Sequence, residues 1–409
     1  MKRLKASALP TVLVISVIVL LIILFAYALW DMSALYYSTY HNHKQQQENL
    51  NSASLLYCND STLLNSLDKE SEYTLHKNDN SSTVHYDVKR WGLYECLIVS
   101  SNDRSYNSVR FVGKNEEGDI NAAFWLCDKD RALLIAGCTD IKGSVFIPKN
   151  GINYIILNKI PYSGEMLVED DIHLSDRNLP EIDTSHIDYV NELRSVDLTS
   201  QPTDGSNHYI SFRNETIHRL IPNITERYTA RGNIVLHGEE VIISSNAILS
   251  DIILIARKVT IETGFEGSLQ VFATDTVIIE EDVHLKYPSG IHLNGNNKKT
   301  HLDIGRRSKI DGYAIVFGVG ENISSFIPDI NYHQQEESTL RGLLYVDGIS
   351  NLKGNIYGAA YLVECYYLSG EIMYASTLFD VKISRNNEIA YPMLFTKGKY
   401  KRKEIKSAY

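Results

Sequence analysis

The sequence predicts a mainly β chain: a three-sided solenoid with insertions, preceded by a single N-terminal transmembrane helix. Three observations carry this prediction. Apolar V-x-I pairs recur every six residues through Asn233–Leu285. A coarser repeat of eighteen residues aligns Asp251–Ser268 with Leu269–Lys286. An uncharged run, Leu9–Trp30, comes before the repeats.

The six-residue step is typical of a β-solenoid, because a unit this short cannot bury its apolar side chains without stacking on the next. Six residues fit one side of a coil, and eighteen fit one turn with three sides. The step predicts that both apolar members of each V-x-I unit point inward. The first members are Val235, Val241, Ala247, Ile253, Val259, Phe265, Val271, Val277 and Val283.

The N-terminal run predicts an uncleaved membrane anchor that binds membrane lipid. Its 22 residues match the roughly 20 that span a bilayer as a helix. They exceed a signal-peptide core and end at Tyr27 and Trp30 without a small-x-small cleavage site. Lys2, Arg3 and Lys5 indicate a cytoplasmic start. We therefore expect a single-pass protein of the bacterial inner membrane, with its C-terminal domain in the periplasm.

The anchor continues into Met32–Leu75, which lacks Gly and Pro and predicts a helical stalk followed by a linker. A basic start, a long apolar helix with Pro10 near its beginning and an amphipathic continuation are similar to a minor pilin helix. The resemblance implies a component of a pilus-like secretion or competence system. The glycine cleavage site and the acidic residue of pilins are missing here.

Composition shifts divide the remaining chain into repeat blocks and insertions. Leu133-x-Ile135 and Val145-x-Ile147 predict one early solenoid turn, about ninety residues before the main block. The predicted segments are a cytoplasmic N-terminus (1–8), the transmembrane helix (9–30), the stalk (31–75), a β-rich segment (76–131), the early turn (132–148), an insertion (149–231), the core solenoid (232–317), a second insertion (318–340), C-terminal turns (341–385) and a basic tail (386–409).

Charge and cysteine usage exclude several classes of protein. The net charge of −10 argues against nucleic-acid binding. The five cysteines contain no C-x-x-C pair, so neither a structural zinc site nor a cofactor is predicted. Cys127 and Cys138 could form a disulfide or remain buried free thiols, and the sequence leaves both open.

The three-sided V-x-I pattern near a membrane anchor resembles the bactofilins, bacterial polymer-forming β-helix scaffolds. The resemblance covers Ala132–Ile147 and, with interruptions, Ile234–Ile372. It implies a parallel, right-handed β-helix and self-association. The large insertions and the full membrane span depart from that family.

Two enzyme classes use related coils. Left-handed hexapeptide acyltransferases need a small residue after each apolar one, and positions such as Leu254 and Phe272 disfavour that fold. Polysaccharide lyases and hydrolases need clustered acidic and basic groups on one face. Asp303, Arg306 and Asp311 are weak candidates for such catalysis, because two carboxylates could flank a sugar bond.

The residue between two inward positions should face outward, since side chains alternate along a strand. At eighteen-residue spacing these positions predict an apolar interaction surface made of Leu236, Leu254, Phe272, Ile242 and Ile278. We expect the insertion, the β-rich segment or a partner to cover it.

These features predict a membrane-anchored envelope scaffold or adhesion protein, without catalysis. Its expected partners are a second copy of the chain, another envelope protein or a glycan. The alternatives are the pilus-like component and a polysaccharide-active β-helix enzyme.

Overall fold

The computed structural model of this 409-residue chain describes residues 8–59, 71–76, 82–117, 121–168, 171–196, 198, 207–225, 227–295, 299–318, 329–395 and 399–408. These residues confirm a mainly β structure with one long apolar N-terminal helix. The chain divides into two compact units. The first contains residues 1–55, 71–86 and 99–108, and the second contains residues 56–70, 87–98 and 109–409.

Helix α1 (Ala8–Asn59) is long and apolar enough to cross a membrane. Its 52 residues extend about 78 Å at about 1.5 Å per residue, more than twice the bilayer core of about 30 Å. The helix therefore continues from the predicted span, 9–30, into the predicted stalk. Within the first unit, the Tyr86 hydroxyl donates a hydrogen bond to the Ala53 carbonyl at 2.9 Å.

Outside the parallel series, β1 pairs with β2 within the first unit, and β4 pairs with β27 within the second. The β1–β2 and β4–β27 pairs are antiparallel. The strands are β1 (Ser71–Thr74), β2 (Thr83–Trp91), β3 (Tyr94–Ser101), β4 (Asn107–Glu117) and β27 (Lys399–Ala408).

The other strands belong to the second unit and pair in parallel, except for the antiparallel β23–β24 hairpin. Helix α2 (Ser185–Ser195) lies between β10 and β11 along the chain. These strands are β5 (Phe124–Leu126), β6 (Leu133–Ala136), β7 (Asp140–Lys142), β8 (Val145–Ile147), β9 (Ile152–Tyr154), β10 (Ile172–Leu174), β11 (Asn207–Ile210), β12 (Ile217–Leu220), β13 (Thr229–Gly232), β14 (Ile234–His237), β15 (Glu240–Ile243), β16 (Ile248–Ile261), β17 (Glu266–Ile279), β18 (His284–Asn294), β19 (His301–Ile304), β20 (Lys309–Phe317), β21 (Tyr332–Gln334), β22 (Thr339–Leu352), β23 (Asn355–Ser369), β24 (Ile372–Ala375), β25 (Thr377–Phe379), β26 (Lys382–Ser384).

The parallel strands lie in successive rungs, each a stretch of chain that pairs strand by strand with the next. The long strand β16 pairs with three consecutive strands, β13, β14 and β15. It then pairs with β17, where Val259 lies beside Val277 and Ile261 beside Ile279. The predicted eighteen-residue step is therefore the register of these segments. Pairings among β17, β18, β20, β22, β21 and β19 form a closed parallel ring of six strands.

The predicted early turn, residues 132–148, lies at the end of the series of rungs, beyond β23. Strand β23 pairs with β5, which pairs with β8, and β26 pairs with β7. One rung therefore consists of β25, β26 and β5, which come from distant parts of the chain. The last rung consists of β9 and β10, which pair with β6 and β8. At the opposite end, the first rung consists of β11 and β12, which pair with β13 and β14.

One apolar cluster runs through the interior of all these rungs. It includes Leu249, Val259 and Ile261 at predicted inward positions, together with Ile252 and Leu254. At both ends of β16 the predicted residues point inward, but in its middle the inward positions are shifted by one residue. The change occurs at Asp251, which has a positive φ of 59° and marks a register shift between β16 and β17.

Two substitutions test which of these residues point into the interior cluster. We expect Leu254→Ala to lower the free energy of unfolding by about 3 kcal/mol, because it removes a fully buried side chain from the interior cluster. The measurement is urea denaturation of the full-length protein in detergent micelles. Ile242→Ala, at a partly exposed position, serves as the control and should stay within about 0.5 kcal/mol. Equal losses at both positions would contradict the assigned phase.

Candidate interaction surfaces

The three weak catalytic candidates have different partners. The Asp303 carboxylate accepts a hydrogen bond from Gln335 at 3.2 Å, and Arg306 donates one to Glu337 at 2.8 Å. Asp311 lies 3.1 Å from the His284 ring and 3.7 Å from Arg341. No hydrogen bond or ion pair joins any two of the three candidates within the described residues. The structure therefore does not assemble the predicted pair of carboxylates. A search of those same residues also finds no group of three or more metal-ligating side chains.

The predicted apolar surface divides into a buried part and an exposed part. Leu236 and Leu254 lie in the interior cluster, and Phe272 faces outward but is fully buried. The prediction that these three form an outward stripe is therefore wrong. In the middle of β16 the register is seventeen residues, so Leu254 pairs with Val271, and Ile255 pairs with Phe272.

The second predicted column keeps the eighteen-residue register. Ile242 pairs with Thr260, which pairs with Ile278. The two isoleucines are 47% and 39% exposed. The column continues into polar residues, since Ile278 pairs with Asp303, Asp303 with His333 and His333 with Asn351. The Asn351 amide lies 2.7 Å from His333 Nδ1. An interaction role for Ile242 and Ile278 stays a prediction.

The middle of β16 and the strand segments in register with it form a face, called here the middle face, whose outward side carries an aromatic ladder. Phe272 pairs with His292, Tyr345 with Tyr361, and Tyr361 with Trp125. The ladder continues to Phe146, whose ring is stacked on that of Trp125 with centroids 4.3 Å apart, and to His173, whose ring centroid lies 4.9 Å from that of Phe146. Stacked rings bury a large apolar area in a defined geometry.

The second unit covers much of this ladder with its own residues. Trp91, Leu93, Phe111, Val190 and Phe212 belong to one apolar cluster with Phe272 and Tyr361. The covering residues come from both the predicted β-rich segment and the predicted insertion. This burial removes the argument for a separate partner at Leu254 and Phe272.

The Gln270 side chain hydrogen-bonds the residues that cover the ladder to the strands beneath them. Its side-chain oxygen accepts hydrogen bonds from the Leu93 amide at 3.0 Å and the Tyr313 hydroxyl at 2.7 Å, and its amide donates to the Trp91 carbonyl at 3.0 Å. Gly92 lies between the two backbone partners with φ +62°, and a Cβ there would lie 2.0 Å from the glutamine oxygen. Glycine is therefore required both for the turn and for the close approach.

We expect Gln270→Leu to lower the free energy of unfolding by about 3 kcal/mol, because three buried polar groups lose their partner. Gln335→Leu is the matched control, since this glutamine is only partly buried and, among the described residues, its amide has a single hydrogen bond, to Asp303. It should cost less than about 1 kcal/mol. Denaturation of the full-length protein measures both. A Gln270 loss no larger than the control loss would contradict the fastening role.

The two ends of the rung series are open among the described residues. At the last rung β9 pairs only with β6 and β10 only with β8. Apolar side chains that are only partly buried cap the interior cluster there, among them Ile152, Leu167 and Ile172. At the first rung, Ile210 and Tyr228 are likewise only partly buried and pack against the interior cluster. Large apolar side chains are exposed at both ends. Near the last rung they are Tyr154, Ile156, Ile160, Met166, Val168 and Leu174, and in the first rung they are Tyr209 and Leu220.

Two histidines lie beside the first rung. His218 Nδ1 and His237 Nε2 are 3.0 Å apart, and one nitrogen donates a hydrogen bond to the other. Burial lowers the pKa of His218, and burial together with the neighbouring His218 lowers the pKa of His237 to about 4. Both rings are therefore neutral at pH 7, so one ring donates its N–H to the bare nitrogen of the other.

Acidification should destabilise the fold through this pair. The ordinary pKa of histidine is about 6.5, so as the pH falls the unfolded chain binds a proton before the folded chain does. We expect a loss that starts near pH 6.5, reaches completion near pH 4 and amounts to at most about 3 kcal/mol for His237. Denaturation at pH 7 and pH 5 measures it. His237→Gln should reduce the pH dependence, whereas the exposed control His173→Gln should not. An unchanged slope in His237→Gln would rule out this source.

The cysteines are free. Cys127 is buried, and burial raises the pKa of its thiol to about 12. Cys138 is exposed, and its sulfur lies 3.1 Å from the Ser163 hydroxyl. The structure therefore has no Cys127–Cys138 disulfide.

Comparison with protein-family models, with curated proteins and with solved structures gave no match for this chain.

Proposed function

We propose that this chain is a membrane-anchored scaffold protein of the bacterial envelope and that its second unit is a three-sided, right-handed parallel β-helix. The strand registers support the coil: β16 pairs with three consecutive strands on one side and with a strand seventeen to eighteen residues later on the other. A single interior cluster through all rungs supports it as well.

The anchoring part of the proposal is supported by α1, which is long and apolar enough to span a bilayer. The orientation is argued from sequence, because Lys2, Arg3 and Lys5 precede the apolar run and no acidic residue does. The proposed location is the inner membrane, with the β-helix in the periplasm.

The scaffold role is carried by one observation: the parallel strand pairings and the single interior cluster run as one continuous stack through the described part of the second unit. Asp303, Arg306 and Asp311 bind separate neighbours. The bactofilin-like character of the repeats fits this role, since a scaffold needs surfaces and length rather than a reactive centre.

The test follows the full-length protein in bacterial cells. We expect it to stay with the inner membrane after an alkaline carbonate wash and to become protease-sensitive only when the outer membrane is opened. A variant without residues 9–30 should leave the membrane fraction. We also expect Asp303→Asn with Asp311→Asn to rescue a deletion strain as well as the wild type does. Cleavage of an acidic glycan by the purified wild type, lost in that double variant, would replace the scaffold with the polysaccharide-active enzyme.

A further inference from the structure

We infer that one exposed face of the rungs binds an anionic glycan, a chain of sugars that carry carboxylate groups. The face is called here the polar face. It consists of the outward side chains of five strand segments that pair in the order β20, β22, β23, β26 and β7. This inference rests on the proposed scaffold function and names the partner that the scaffold would hold.

Each segment of the polar face turns two side chains outward. Its central residue is an apolar member of the interior cluster, as Ile310 in β20 and Leu340 in β22 illustrate. Because side chains alternate along a strand, the residues on either side of each central residue point away from the interior. Lys309 and Arg341 are two such residues, and both are exposed.

The polar face is basic, although the whole chain is acidic. Four cations against two carboxylates give its outward positions a net charge of +2, on a chain whose net charge is −10. The charged residues are Lys309, Arg341, Lys382 and Lys142, together with Asp311 and Asp140. A basic surface on an acidic protein is complementary to an anionic partner.

The cations in the centre of the polar face are available to a ligand. Lys309 and Lys382 are exposed, and neither makes an ion pair within the described residues. The Arg341 side chain is 53% exposed, and its ion pair with Asp311 spans 3.7 Å. Asp311 lies closer to His284, at 3.1 Å. Lysine and arginine form strong charge-assisted hydrogen bonds with carboxylates, and arginine can bind both oxygens at once.

An aromatic ring lies among these cations. Tyr357 pairs with Arg341 on one side and with Ser384 on the other, and it is 38% exposed. An exposed ring offers a flat apolar surface against which one face of a sugar can pack. Thr339 and Asn355 are neighbours in the adjoining column of the same face, and their side chains are of the types that hydrogen-bond sugar hydroxyls. These neutral groups favour a glycan over a simple inorganic anion.

The spacing of the rungs also fits a glycan. Neighbouring strands lie about 4.8 Å apart, so Lys309 and Lys382, which are three rungs apart, are separated by about 14 Å. One sugar of an extended glycan is about as long as one rung step, so carboxylates on alternating sugars would meet successive cations. Double-stranded nucleic acid carries a charge about every 1.7 Å. The net charge of −10 would repel so dense a polyanion.

Calorimetry tests the inference by measuring binding to the full-length protein in detergent micelles. The probes are a galacturonate hexamer, a neutral glucose hexamer and a single-stranded DNA hexamer. We expect the galacturonate hexamer to bind and the glucose hexamer not to bind. Lys309→Gln with Lys382→Gln should weaken galacturonate binding by about tenfold, because charge-assisted hydrogen bonds are lost. Tyr357→Ala should also weaken it, whereas Tyr357→Phe, which keeps the ring, should not.

The matched control is Lys149→Gln with Lys299→Gln, which removes the same charge from two exposed lysines outside the polar face. It should bind the galacturonate hexamer as the wild type does. Circular dichroism of each variant checks that the fold is unchanged. An equal loss in the control would overturn the assigned face, and so would a wild type that does not bind the hexamer. Tighter binding of the DNA hexamer than of the galacturonate hexamer would overturn the glycan in favour of a nucleic acid.

These outcomes are distinguishable from those of the scaffold test. A protein that stays anchored in the membrane, cleaves no glycan and binds no galacturonate would remove the glycan-binding face and leave the proposed function in place. Conversely, release from the membrane or cleavage of the glycan would remove the proposed function, whatever the binding data show.

Discussion

Hydrogen bonding between neighbouring rungs is the constraint on which the second unit depends. No rung has enough residues to bury its own apolar side chains, so each needs a neighbour that satisfies its backbone and covers its interior. The interior cluster shows the result, since it runs from Ile234 in the early rungs to Val145 near the end. The same need explains the composite rung. Where β25 and β26 supply only part of a turn, β5 supplies the rest from elsewhere in the chain.

The middle face adds a second layer to this arrangement. Its outward ladder would be a large apolar surface if it were bare, and soluble proteins rarely leave such surfaces uncovered. Trp91, Phe111 and Phe212 pack over it, and Gln270 joins the cover to the rung through polar contacts. Shape and hydrogen bonding therefore act together here: the rings supply buried area, and the glutamine fixes the position of the turn at Gly92.

Sequence periodicity identified the inward residues of most of the parallel strands and misplaced those of β14 and of the middle of β16. The six-residue step identified Val259 and Ile261 as inward, because alternation there continues without interruption. It assigned Ile253 to the interior and Leu254 to the surface, and the structure reverses both. The cause is local: Asp251 turns the chain at positive φ, held by Ser268 and Lys406, and restarts the alternation one residue earlier. A repeat count cannot detect a corner that is one residue shorter than the others.

Other features depend on contacts that no local pattern contains. The aromatic ladder joins Phe272 to Tyr361 and Trp125, whose sequence spacing is irregular. The early turn was recognisable from its V-x-I pairs, but its place beside the C-terminal rungs depends on pairing between distant segments. Asp303 and Asp311 are close in sequence and were candidates for one site. In the structure, their carboxylates bind Gln335 and His284.

The composite rung has a consequence for the order of folding. Phe124 pairs with Ala360, so this neighbour is synthesised 236 residues later. Strands β5 to β10 therefore leave the ribosome long before the surface on which they stack exists. Loop closure over such a distance slows folding, and an unpaired apolar strand is prone to aggregation while it waits. The rungs from β11 to β23 pair with near neighbours in sequence and can form first, which makes the early turn of the sequence a late step in folding.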